Sequence, residues 1–194
     1  MRASAVWSTV TVDEAGTDVE AAARELIGSR VDDVRCYTMP CGIPDGSAWD
    51  LDVAHVADYG VDLVAPGGTT GITWAQYGQF GYGLQLVRGP VMTELVRADF
   101  CSVAGKPPWG AVLGEPITAA RVHWLDVTWG QEETTGPVAL SLRIADRISI
   151  VLACGSWRGS QKPVLPTGDD IVVLWQPGTL PVLAPYLPGD LLGP

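Results

Sequence analysis

Apolar and polar residues alternate with period two over much of this chain. Val138, Leu140, Leu142 and Ile144 are interleaved with Ala139, Ser141 and Arg143, and Ile148, Ile150 and Leu152 with Ser149 and Val151. Successive strand side chains point to opposite faces, so these runs predict a hairpin about Ala145-Asp146-Arg147 with one face buried. Residues 61–65 and 72–76 predict two more strands, joined through Pro66-Gly67-Gly68-Thr69-Thr70, and 83–87 a third. Further β-prone runs fall at 5–12, 34–38 and 171–175. Residues 117–129 would span about 43 Å if fully extended, longer than an ordinary strand, so a bend or bulge is expected inside them.

Helical spacing is rarer. Val19, Ala22, Ala23 and Leu26 share a face, Thr17-Asp18-Val19-Glu20 reads as a capping box, and Gly28 is placed to stop the turn. These features predict a helix over 18–27. Val91, Leu95 and Val96 suggest a second short helix between 89 and 116. About nine strands with two or three short helices define a β-rich α+β chain. The expected architecture is a twisted antiparallel sheet, as a sandwich or partial barrel, with the helices at one side. Alternating βα units and a Gly-x-x-x-x-Gly-Lys-Ser/Thr loop are both missing, which argues against a doubly wound nucleotide fold. Residues 1–194 read as a single compact domain, without linker or internal repeat. The Pro-rich end, 177–194, carries Leu180, Val182, Leu183, Tyr186, Leu187, Leu191 and Leu192, and is expected to pack on the core.

Composition fits this picture: 47% of the 194 residues are hydrophobic and only 18% charged, enough for a core and too few charges for long solvated helices. Two uncharged or nearly uncharged stretches, 63–87 and 171–189, are interrupted by Gly and Pro respectively and do not read as membrane spans. The first twelve residues carry no export signal, so a cytoplasmic protein with Cys36, Cys41, Cys101 and Cys154 as thiols is expected. The formal charge is −10, and it is concentrated: residues 1–65 hold 12 acidic and 4 basic side chains. Such a field repels nucleic acid and anionic lipid and favours a basic protein partner, although it also serves plain solubility. The sequence carries no signal of oligomeric state.

The chemistry-bearing residues are sparse. Asp50, Asp52, His55, Asp58 and Asp62 fall within thirteen positions beside Trp49, and no Lys or Arg occurs from Cys36 to Val87. A metal or acid–base site there would need a turn, because Asp50 and Asp52 would face away from His55 on an extended chain. A solvated, partner-facing acidic rim is the simpler reading, with Trp49, Asp50, Asp52, His55, Asp58 and Asp62 as its residues and no cofactor or metal. Cys36 and Cys41 have the wrong spacing for a zinc knuckle. Ser141, Ser149 and Ser156 lie outside any Gly-x-Ser-x-Gly elbow, and Cys154 has no neighbouring His in sequence. Gly78, Gly81 and Gly83, interleaved with Tyr77, Phe80 and Tyr82, read as a sheet corner. The chain holds eight Trp, and because Trp is favoured at binding surfaces they are not all expected to be core. The expected function is therefore that of a non-enzymatic acidic binding protein that docks a basic protein, as an immunity protein or adaptor would. The alternative is a small-molecule-binding sheet or barrel with a Trp/Tyr-lined cavity and, at most, weak hydrolytic activity.

Overall fold

A computed structural model describes residues 12–38, 54–77, 81–92, 99–129, 132–156 and 168–175. They form one α-helix, α1 (Val12–Glu25), and ten strands: β1 (Asp33–Thr38), β2 (Ala54–Ala57), β3 (Gly60–Ala65), β4 (Gly68–Tyr77), β5 (Gly81–Arg88), β6 (Asp99–Ser102), β7 (Ile117–Trp129), β8 (Glu132–Ile144), β9 (Ile148–Gly155) and β10 (Asp170–Leu174). Two five-stranded sheets result, β5-β4-β3-β1-β6 and β2-β10-β9-β8-β7, and every pairing between named strands is antiparallel.

One core lies between the sheets. Val34, Cys36, Val61, Leu63, Ile72 and Leu84 from the first meet Leu140, Leu142, Ile150, Leu152, Ile171 and Val173 from the second, all at most 2% exposed. At about 1.5–3 kcal/mol for each large aliphatic side chain withdrawn from water, this layer is the main stabilising element. The helix adds Val19, Ala23 and Leu26 and packs against β5, β7 and β8. Gly28, at φ +89°, turns the chain out of it, and the Gly28 N–H donates to the Ile117 carbonyl at 2.8 Å. The left-handed conformation there suits Gly because a Cβ would be strained.

The β-rich antiparallel architecture agrees with the period-two pattern, and the broad form is a sandwich. The predicted bulge in the long strand is present twice, as register shifts at Ile117/Ala119 and His123/Trp124. Two expectations need correction. The helix begins at Val12, so Thr17 lies inside it, and the Glu20 carboxylate accepts the Trp124 indole N–H at 3.1 Å. The second short helix, expected from Val91, Leu95 and Val96, falls mostly outside the described residues, which leave out 93–98; the described residues beyond hold β6 and a 3₁₀ turn at Trp109–Ala111. In β6, Phe100 and Cys101 pair across the strands with Tyr37 and Cys36. The loop between β3 and β4 is shorter than expected, a two-residue turn at Pro66-Gly67. The expected first strand falls outside the described residues except for Val12, which is helical. The expected packing of 177–194 also falls outside them.

Candidate functional site

The acidic segment crosses from one sheet to the other. β2 belongs to the second sheet and β3 to the first, so Asp58 and Tyr59 form the step between them. This step separates the predicted site residues. His55 pairs with Val173 in the second sheet, is 0% exposed, and stacks at a tilt on Trp175 with ring centroids 4.7 Å apart. Asp58 is half-buried, and its backbone carbonyl accepts the Trp74 indole N–H at 2.9 Å. Asp62 lies in β3, opposite Arg35 and Gly71, on the face turned away from the core. Trp49, Asp50 and Asp52 are outside the described residues.

Asp62 was expected to face solvent, and it does not: its exposure is 0%. The chain after β5 folds back over this part of the sheet. A Cβ on Gly60 or Gly71 would lie 3.1 or 2.9 Å from the Val91 side chain, so these two glycines leave the space that Val91 fills. Closed in beneath it, Asp62 accepts the Tyr37 hydroxyl at 2.5 Å on one oxygen and the Val91 backbone N–H at 2.8 Å on the other. Burial pushes the Asp62 carboxyl above the usual carboxylate range, while the bonds from Tyr37 and Val91 and the charge of Arg35 pull the other way. Burial, reinforced by the Asp62 carboxylate, pushes the Tyr37 hydroxyl well above its ordinary value and keeps it a donor. His55 is likewise removed from any partner-facing rim by burial. Two of the five groups of the acid–base reading thus sit in different sheets, His55 on the inner face and Asp62 on the outer.

Next to the Asp62–Tyr37 pair the same face opens to water. Phe100, paired with Tyr37 across β6, is 53% exposed, and its ring lies 6.0 Å from that of Tyr37 and 5.2 Å below the Arg35 guanidinium. Arg35 also donates to Asp33 at 3.1 Å, and Asp33 accepts the Ser102 hydroxyl at 2.6 Å and the Val34 N–H at 2.9 Å. Partial burial alone would raise the Asp33 pKa, but these donors together hold it below the usual carboxylate value. The patch is aromatic and cationic over a buried anion, and the row Asp33, Arg35, Tyr37 follows from alternation along β1. Sequence reasoning missed it because β6 was not expected, leaving Phe100 without a strand to sit on.

Other constellations offer less chemistry. His123, 3% exposed, shares a hydrogen bond with the Ser141 hydroxyl at 2.9 Å across β7 and β8. Cys36, Cys101 and Cys154 are free thiols, and burial pushes that of Cys154 far up. No group of three or more metal-ligating side chains occurs among the described residues. A cleft of about 880 Å³ between the end of α1 and the β3–β4 turn is lined by Glu25, Arg30, Thr69, Thr70 and Arg88 among others, without Trp or Tyr. Trp109 is fully buried, whereas Trp74, Trp124 and Trp175 are half-buried. No described helix is long and apolar enough to cross a membrane. Comparison with protein-family models, curated proteins and solved structures gave no match.

Proposed function

We propose that the protein is a non-enzymatic, acidic, cytoplasmic binding protein that docks a basic protein partner, in the manner of an immunity protein or adaptor. The observation that supports this reading most directly is the exposed Phe100 beside Thr38, its neighbour across β1 and β6 being Asp99. At Thr38 the chain enters the cation-free stretch that holds Trp49, Asp50, Asp52 and Asp58. An aromatic side chain left half in water suits a contact in which the ring supplies buried area, and the carboxylates concentrated in residues 1–65 of the sequence would raise the association rate of a basic partner. The reading now rests on Trp49, Asp50, Asp52, Asp58 and Phe100. His55 and Asp62 are both 0% exposed and belong to the scaffold.

The test uses the full chain as an affinity bait, with Asp50→Asn/Asp52→Asn/Asp58→Asn and Phe100→Ala as separate variants. Retained proteins should be basic, be lost at about 1 M salt, where the Debye length is about 3 Å, and be depleted with both variants. Retention indifferent to salt and to both variants overturns the proposal. The Trp/Tyr-lined cavity of the alternative reading has no counterpart in the described cleft.

A further inference from the structure

Two of the described cysteines lie directly opposite each other. Cys36 in β1 pairs with Cys101 in β6, and both are free thiols. Alternation puts Arg35, Tyr37, Phe100 and Ser102 on the outer face, so the two thiols share the inner one. Packing agrees: Cys36 belongs to the core at 0% exposure, and half-buried Cys101 packs against that core. The ladder also fixes their spacing. Val103 donates its N–H to the Val34 carbonyl at 2.8 Å, two pairs back along the same register. Hydrogen-bonded and non-hydrogen-bonded pairs alternate in an antiparallel ladder, so Cys36 and Cys101 form a hydrogen-bonded pair with Cα atoms about 5.5 Å apart. A disulfide accepts Cα separations of about 4.4–6.8 Å.

We infer that Cys101 is a site of oxidation and that Cys36 is its resolving partner, the two closing a reversible disulfide between β1 and β6. The roles follow from access. Half-buried Cys101, on the edge strand of its sheet, can meet a small oxidant such as hydrogen peroxide, whereas Cys36 is closed off. The Cys101 thiolate attacks one peroxide oxygen, the O–O bond breaks, and the departing hydroxide takes up the thiol's proton as water. The Cys36 sulfur then displaces hydroxide from the sulfenic acid, forming the S–S bond and releasing, with its own proton, a second water. Two thiols thus lose two electrons and two protons, and one peroxide becomes two waters. The Cβ atoms of such a pair stand about 5.5 Å apart against about 3.8 Å in a disulfide, so the strands must draw together by about 1–2 Å. β6 can supply that movement, because it is four residues long and, among the described residues, pairs with β1 alone. Cys154 has no such route, being 0% exposed in β9 and opposite Ile171. The inference is independent of the docking reading, although the link would tie the strand that bears Phe100 to its neighbour.

The test treats the reduced full chain with hydrogen peroxide, alkylates the remaining thiols and maps the peptides by mass spectrometry without reduction. The native chain should lose two alkylatable thiols and yield Cys36 linked to Cys101, a link that dithiothreitol reverses. In urea the same treatment should favour Cys36 with Cys41, because a short loop closes more readily than one of more than sixty residues, so the native pairing reports the fold. Cys36→Ala should leave a sulfenic acid at Cys101 that dimedone labels well above the wild-type level, and Cys154→Ala should leave the link intact. If Cys36→Ala does not fold, the wild-type map decides. A native map with Cys36 joined to Cys41, with Cys101 joined to Cys101 of a second chain, or with no bond at Cys101 overturns the inference.

Discussion

Replacing Asp62 with Ala tests whether the buried carboxylate holds the chain after β5 against the sheet. The substitution leaves the Tyr37 hydroxyl and the Val91 N–H without their acceptor. A buried donor left unmet costs about 1–3 kcal/mol, so the two together cost about 2–6 kcal/mol. Relief of the desolvated carboxylate offsets part of this, giving an expected net loss of about 2–3 kcal/mol. For a chain of this size that lowers Tm by about 4–12 °C. Asp62→Asn should cost about 1 kcal/mol or less, because its carbonyl still accepts from Val91 and its amide can donate to the Tyr37 oxygen. The pH dependence separates charge from shape. An unfolded Asp titrates near 3.8, and burial raises the folded value, so between the two the folded chain binds more protons than the unfolded one. The contribution of this group to stability is therefore greatest below about pH 3.8 and falls as pH rises through the folded pKa. The stability difference between wild type and Asp62→Asn should shrink over that window. Urea unfolding followed by Trp fluorescence from about pH 3.5 to 7, at constant m, measures both effects. An Ala variant within about 0.5 kcal/mol of wild type, or less destabilised than the Asn variant, refutes the anchoring role.

Two further outcomes follow from the same packing. Gly71→Ala would place a Cβ 2.7 Å from the Val87 side chain and 2.9 Å from both the Gly89 carbonyl and the Val91 side chain. It should cost about 1–3 kcal/mol and speed hydrogen exchange at the Val91 amide; unchanged exchange there would argue against the overlay. In thiol titration of the native chain, half-buried Cys101 should react well before Cys36 and Cys154, which are 0% exposed. All four cysteines should titrate once the chain is unfolded, and Cys154 reacting as fast as Cys101 in the native state would contradict its burial.

Period two was the most legible signal in this sequence because it depends only on which face of a strand is buried. It located β3, β4, β5, β8 and β9, while β10 was legible as a continuous β-prone apolar run, and the excess length of 117–129 anticipated the bulges of β7. Where both faces are buried, alternation disappears: β2 is four residues, Ala54–Ala57, every one buried, and no strand was expected there. β6 was missed for the opposite reason. It is a short edge strand whose conformation is set by pairing with β1, a partner more than sixty positions away. The start of α1 was misplaced because a capping-box pattern can occur inside a helix, where its backbone N–H groups already have partners.

The acidic segment shows why spacing in sequence was a poor guide to a site. Thirteen positions held four Asp and one His, close enough to suggest shared chemistry. The step at Asp58 and Tyr59 carries the chain from one sheet to the other, so His55 enters the core of the sandwich while Asp62 lies on its outside. Neither placement follows from residue type. A carboxylate in a half-exposed strand normally points to water, and Asp62 is closed in only because Gly60 and Gly71 let Val91 come down over it. Two small residues and one backbone N–H, 29 positions further on, convert an expected surface charge into a buried anchor. The same reasoning moves the search for a partner surface from Asp62 to Phe100. There the outer face of the sheet is open, and a ring remains half in water beside a guanidinium.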